Sequence, residues 1–247
     1  MTKLILNATK IVLVLLSALF FASCNFQIDG LNSIEGSQNV TTVKREVTEN
    51  FTYVEAATGL DVEIIQQEKA EITVIADDNL HEHIETSISN GVLKLKFTHS
   101  VKNAASNKII VGMPICNGLS TSSGASLETK DKIKGQKIDF STSSGSEMKV
   151  LLEYDEVNAD ASSGSEMIVS GLNLNARFES SSGSEINAEN LIANDIYARS
   201  SSGSEITLHP ILSLDAEASS GSKIRYVKSP ERKFHTKNSS GGSVIPR

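Results

Sequence analysis

From residue 118 onward, apolar and polar residues alternate in short runs, and one small-residue motif interrupts them at near-constant spacing. SSGAS stands at 122–126, and SSGSE at 143–147, 162–166, 181–185 and 201–205. SSGSK follows at 219–223, and SSGGS at 239–243. The motif glycines are Gly124, Gly145, Gly164, Gly183, Gly203, Gly221 and Gly241, with steps of 21, 19, 19, 20, 18 and 20 residues. Aligning the copies aligns the flanks too. Met148, Met167, Ile186, Ile206 and Ile224 share one column, and Val150, Val169, Ala188, Leu208 and Tyr226 share the column two residues on. Apolar positions two apart predict strand, and no copy sustains a helical stripe.

A repeat of 18–21 residues fits three short strands joined by tight corners. Stacked about 4.8 Å apart, such coils pair every backbone group with the coil above and below. The sequence therefore predicts an all-β chain built as a parallel β-solenoid of about 18–21-residue coils. The glycine is expected at a corner, where a left-handed backbone costs least. A sandwich of hairpins would need a turn every 8–12 residues or so, with no fixed identity for each turn.

Residues 47–117 keep the alternation but lose the motif. Val62 and Ile64, then Ile72 and Val74, then Leu93, Leu95 and Phe97 alternate with polar residues, and Thr58-Gly59 is a degenerate corner. This stretch is read as irregular coils forming an N-terminal cap on the 118–247 repeats, the whole making one domain over 47–247. Asp78 to Thr86 predicts a short helical turn. Few residues follow the last motif, so the C-terminal cap is thin. An open sheet edge there would favour end-to-end or lateral packing with another copy.

The first 24 residues read as an address. Lys3 and Lys10 precede an apolar run from Ile11 to Ala22, too short to span a bilayer as a helix. Phe21-Ala22-Ser23-Cys24 resembles a bacterial lipobox. The expectation is a lipoprotein signal peptide over 1–23 and a lipidated Cys24, with a flexible polar tether over 24–46. The partner so implied is a membrane reached through the lipid, at the outer membrane of a cell envelope. Asn25 to Gly30 carries only Asp29 as an acid, which leaves open the side of that membrane the chain faces.

The lipobox, the segment "FTYVEAATGLDVEIIQQ…EITVIADDNL…SNGVLKLKF" and the Ser-Gly coils together resemble one family, the putative auto-transporter adhesin, head GIN domain family of Bacteroidetes. The resemblance implies a right-handed β-helix, similar in shape to pectin lyases but without their catalytic residues, and a role in adhesion. Gly-Ser-Glu-Ile-Asn at 183–187 is a looser form of the Gly-Ile-Asn step in the family's name.

Composition narrows the chemistry. The net charge is −7, and it becomes −9 once residues 1–23 are removed, because that removes two lysines and no acid. Such a chain is a poor nucleic-acid binder. The repeats place Glu147, Glu166, Glu185 and Glu205 in one column. Four carboxylates about 5 Å apart repel by about 1 kcal/mol per pair in water. The column reads as a solvated face that discourages sideways aggregation, or as a strip for a cation or basic ligand. It lacks the Gly-Gly-x-Gly-x-Asp calcium repeat. Equivalent glutamates on one strip do not divide into acid and base, and no serine has an elbow with an assignable histidine. His81 and His83 lack a third ligand nearby, and Cys116 reads as a small buried hydrophobe. No metal, cofactor or catalytic residue is assigned. The expectation is a non-enzymatic adhesion or binding module with a glycan or protein ligand. The alternative is a periplasmic scaffold that self-associates, ahead of a polysaccharide-active enzyme.

Overall fold

Strand accounts for 64% of the described residues and helix for 3%, and the strands stack as the parallel coils of a β-solenoid. The computed structural model describes residues 33–247, of which 34–247 form one compact unit. The signal-peptide assignment of 1–23 and the lipidation of Cys24 lie outside the described residues.

Each coil bends at its Ser-Gly corner. The strand before the corner joins one sheet, and the strand after it joins a second. β12 (Ile133–Thr142), β13 (Glu147–Ala161), β14 (Glu166–Ser180), β15 (Glu185–Ser200) and β16 (Glu205–Ala218) form the regular middle of the stack, each paired in parallel with the next. β17 (Lys223–Tyr226), β18 (Lys233–Asn238) and β19 (Ser243–Pro246) complete the C-terminal end. Inward positions bury the predicted columns. On the first sheet Phe140, Ala159, Phe178 and Ala198 alternate large with small across successive coils before Ala216, and each is at most 2% exposed. A third, shorter face runs through Leu152, Gly171 and Leu191. Gly171 has φ +123°, and a Cβ there would lie 1.9 Å from the Leu152 carbonyl oxygen, so two backbones touch where only glycine fits.

The corners share one geometry. Ser163 and Gly164 have φ of +54° and +69°, and the Ser165 N–H donates to the Ser162 carbonyl at 3.2 Å. Two successive positive φ values around such a bond make a type I′ turn. All seven motif glycines have φ between +67° and +79°, and the serine before each also lies in the left-handed region, a feature the sequence reading did not assign. The first six corner glycines each donate an N–H to a serine carbonyl of the next coil, as Gly164 does to Ser182 at 3.1 Å. The last serine of the motif points inward. Ser184 and Ser204 are buried, and their hydroxyls donate to the Ala161 and Ser180 carbonyls of the coil before, at 2.8 Å each. These hydroxyls staple coil to coil.

The cap departs from the expectation in three ways. First, residues 34–46 are not wholly tether: β1 (Ile34–Glu35) pairs with β8 (Val101–Lys102), and β2 (Val40–Arg45) runs antiparallel to β5 (Glu71–Asp77). Val40, Thr41, Thr42 and Val43 are β-branched, which suits a strand despite the polar composition. The domain thus starts near Ile34 rather than at 47. Second, 47–117 is not a run of coils alone. β6 (Ile84–Ser89) and β7 (Val92–Phe97) form an antiparallel hairpin about Asn90-Gly91, while the expected helical turn is present as a 3-10 helix over Asp78–His83 that buries Leu80. Third, spatial order differs from chain order. β3 (Tyr53–Ala56) and β4 (Asp61–Gln66) lie between two other layers. β7 and β9 (Asn107–Met113) are on one side, and β10 (Gly118–Thr121) and β11 (Ser126–Thr129) on the other. The first sheet therefore reads β6, β7, β3, β10, β12 and on through β16 to β18.

Asp77 locks this cap. It is fully buried and accepts the N–H groups of Gln38 at 2.8 Å and of Ala105 and Ser106 at 3.0 Å. Burial raises its pKa, but these three backbone donors outweigh that and hold the carboxyl below the usual range.

Candidate functional site

The glutamate column lies on the outer face of the second sheet. Glu147, Glu166, Glu185 and Glu205 stand opposite one another in register on β13 to β16. Lys223 follows in the same column at the C-terminal side; Ser126, Asp61 and Lys108 precede it. The parallel register places these carboxylate stems about 4.8 Å apart.

The last glutamate of the column, Glu205, is ion-paired and the first three are not, while Lys108 beyond the N-terminal end pairs outside the column. Lys108 Nζ lies 2.7 Å from Glu63 Oε2, and Arg225 Nε lies 2.5 Å from Glu205 Oε1. The hydrogen bond to Glu63 raises the Lys108 pKa against the opposing effect of burial, with further help from the charges of Glu63, Glu128 and Asp61. Glu147, Glu166 and Glu185 have no ion-pair partner among the described residues. Partial burial, then the charges of Glu166 and Glu205, raise the pKa of Glu185. A groove of about 450 Å³ runs along the N-terminal part of the column, lined by Asp61, Glu63, Lys108, Glu128 and Glu147.

A raised folded pKa means that the charged form of Glu185 weakens the fold. The penalty is present above the folded pKa and vanishes below the ordinary carboxylate range. Glu185→Gln is therefore expected to raise stability by about 0.5 kcal/mol at neutral pH and low salt, and by nothing near pH 3. Urea unfolding at both pH values and two ionic strengths checks this; a loss of stability at neutral pH would contradict it.

On the outer face of the first sheet the arginines are paired locally. Arg199 pairs with Glu217 at 3.1 Å, and Arg177 pairs with Glu179. Arg177 and Arg199 stack on Tyr197, 4.5 and 5.7 Å from the ring centre. Asp160 is raised by burial, then by Glu179, with Arg177 opposing.

The corner glycines Gly124, Gly145, Gly164, Gly183, Gly203, Gly221 and Gly241 form an exposed ridge beside that face, each capped by its left-handed serine. The remaining candidates have structural surroundings. His81 Nε2 lies 2.9 Å from Thr41 Oγ1, while its carbonyl accepts from Arg45 at 2.6 Å. His83 packs edge-on against His99, with ring centres 5.0 Å apart. No group of three or more His, Cys, Asp or Glu side chains among the described residues is placed to hold a metal ion. Cys116 is 1% exposed, and burial pushes its thiol up to about 12, which leaves almost no thiolate at neutral pH. No helix among the described residues is long and apolar enough to cross a membrane.

The family model described as putative auto-transporter adhesin, head GIN domain, matches residues 50–230. No curated protein matches the chain. Among solved structures, a putative adhesin from Bacteroides fragilis NCTC 9343 superposes with a TM-score of 0.79 at 22% identity. That match covers 87% of this chain and 99% of the other. A putative lipid binding protein from Parabacteroides distasonis ATCC 8503 gives 0.72 at 19% identity, covering 87% and 100%. A putative adhesin from Parabacteroides merdae ATCC 43184 gives 0.69 at 17% identity, covering 87% and 99%. At these identities the likeness speaks for the fold.

Proposed function

The chain belongs to the putative auto-transporter adhesin, head GIN domain family, and from that premise we propose that it is a non-enzymatic adhesion module of the cell envelope, anchored through a lipid on Cys24. The observation that carries the reading is the in-register repetition of one outward side chain. Glu147, Glu166, Glu185 and Glu205 repeat along a rigid face with the first three unpaired. A ligand with its own repeat, a glycan or an extended protein segment rich in donors, meets the same contact at each coil. Contacts that are weak singly then sum through effective concentration. The core behind the face is apolar and closely packed, so the surface stays rigid and little ordering entropy is lost on binding.

The test uses whole cells carrying the wild-type chain, the Cys24→Ser variant or the Glu166→Gln/Glu185→Gln pair. Protease shaving of intact cells, followed with an antibody to residues 47–247, reports exposure. Retention on immobilised glycans and matrix proteins reports binding. Digestion without lysis is expected. Retention is expected to fall about tenfold for each variant. Protection until the outer membrane is opened would remove the adhesion reading and leave periplasmic scaffolding in its place.

A further inference from the structure

We propose that the C-terminal end of the stack binds the N-terminal cap of a second copy of this chain, so that the sheets continue from molecule to molecule. The proposal does not depend on the adhesion reading. Both ends present open sheet edges. Among the described residues β18 is paired only with β16 and β19 only with β17, while β2 is paired only with β5 and β6 only with β7. At the C-terminal end the core is also uncovered. All six residues of β18 are exposed, and the inward Phe234 is 48% exposed, resting edge-on against Tyr226 at 5.2 Å.

Strand direction permits the joint. β2 runs antiparallel to β5, and β5 antiparallel to β9, which is parallel to the coil strands. β2 therefore points the same way as β19 and can extend the second sheet in parallel. β6 would add to β18 in the antiparallel sense, which a sheet accepts equally well.

Charge selects head-to-tail over tip-to-tip. Residues 228–247 carry five basic and one acidic side chain, a net of +4. The cap segments 34–49 and 71–89 carry eight acidic and two basic side chains, a net of −6. Lys233, His235 and Lys237 occupy the outer face of β18, following Ser213, Asp215 and Glu217 of β16 in register. In a tip-to-tip pairing of β18 with itself, keeping inner and outer faces aligned sets Lys233 opposite Lys237 of the second copy. Like charges directly opposed destabilise such a pair. The cap instead offers Glu85 on β6 and Glu82 on the 3-10 helix. A head-to-tail contact does not close on itself, so it builds a filament.

The test joins the two ends covalently in the full-length protein in its own membranes. Glu82→Cys at the cap and Lys237→Cys at the tip are combined in one chain. Eight strands of the first sheet lie between β6 and β18, which puts them about 43 Å apart, so no disulfide can form within a molecule. Mild oxidation is expected to give a ladder of dimers, trimers and longer species on a non-reducing gel, while each single variant gives none. Adding Arg232→Glu and Lys233→Glu is expected to cut the ladder about tenfold, and a further Glu85→Lys to restore it. A double variant that stays monomeric overturns the proposal. So does a dimer formed equally well by Lys237→Cys alone, or a ladder indifferent to the charge reversals.

Discussion

Replacing Asp77 by alanine is expected to cost about 2–4 kcal/mol, because three backbone N–H groups lose one charged acceptor together. The loss should be local in origin and wide in effect. Gln38 belongs to the segment that leads into β2, while Ala105 and Ser106 lead into β9. Without the carboxylate both segments are released, and β5 is left as the edge of the stack. Asp77→Asn keeps an acceptor but not the charge, and should fall between the two. The pH dependence follows from the lowered pKa. A depressed folded pKa adds stability that is fully present above the ordinary aspartate value near 3.9 and is lost as pH falls through the folded value. The wild type should thus lose stability to acid more steeply than Asp77→Asn below about pH 4. Urea melts of the three proteins at pH 7 and pH 3 decide the matter. An alanine variant within about 0.5 kcal/mol of wild type at pH 7 would mean that the clamp is dispensable.

Phe178→Ala should cost more, about 3–5 kcal/mol. Phe178 is fully buried, with Ala159 before it and Ala198 after it in the same inward column. The cost of a truncated core residue grows with the cavity left behind, and a cavity shrinks only if neighbours can move in. Two alanines have no side chain to offer, and the coils above and below are held at strand spacing by their backbone ladders. Phe178→Leu, which keeps most of the volume, should recover well over half of the loss. Calorimetric melts of both variants check it. Equal destabilisation by leucine and alanine would show that the strain lies elsewhere than in the void.

The regular coils were legible because a solenoid writes each layer within one repeat. The columns at Met148 and Val150 and the glycine spacing depend on residues close in sequence, and period-two alternation carries their facing. The cap was less legible, for a physical reason. Whether β3 lies beside β7 or beside β10 is decided by pairings across tens of residues, which no local pattern records. β2 was hidden by its polar side chains, although Thr41, Thr42 and Val43 are good strand formers. The left-handed serines had a readable precedent in Asn90-Gly91, the same turn in a hairpin, but serine is not the residue usually associated with that backbone. Asp77 looks in sequence like the start of a turn, and its three backbone partners lie some thirty to forty residues away. The alignment of the glutamates could be read directly, whereas the pairing of Glu205 depends on Arg225 reaching sideways from the neighbouring column.

The interleaved cap also governs how assembly starts. Coils that resemble one another are interchangeable as docking partners, so a chain made of them alone could begin stacking one repeat out of phase. The layer formed by β3 and β4 removes that freedom. One of its edges is already occupied by β7 and β9, strands with sequences unlike any repeat, and its other edge receives β10 and β11. In chain order, residues through Met113 come before Gly118. The layer of β3 and β4 then offers one vacant edge when the first Ser-Gly coil arrives. Growth runs one way from a unique origin, as a zip fastener closes from its fixed end.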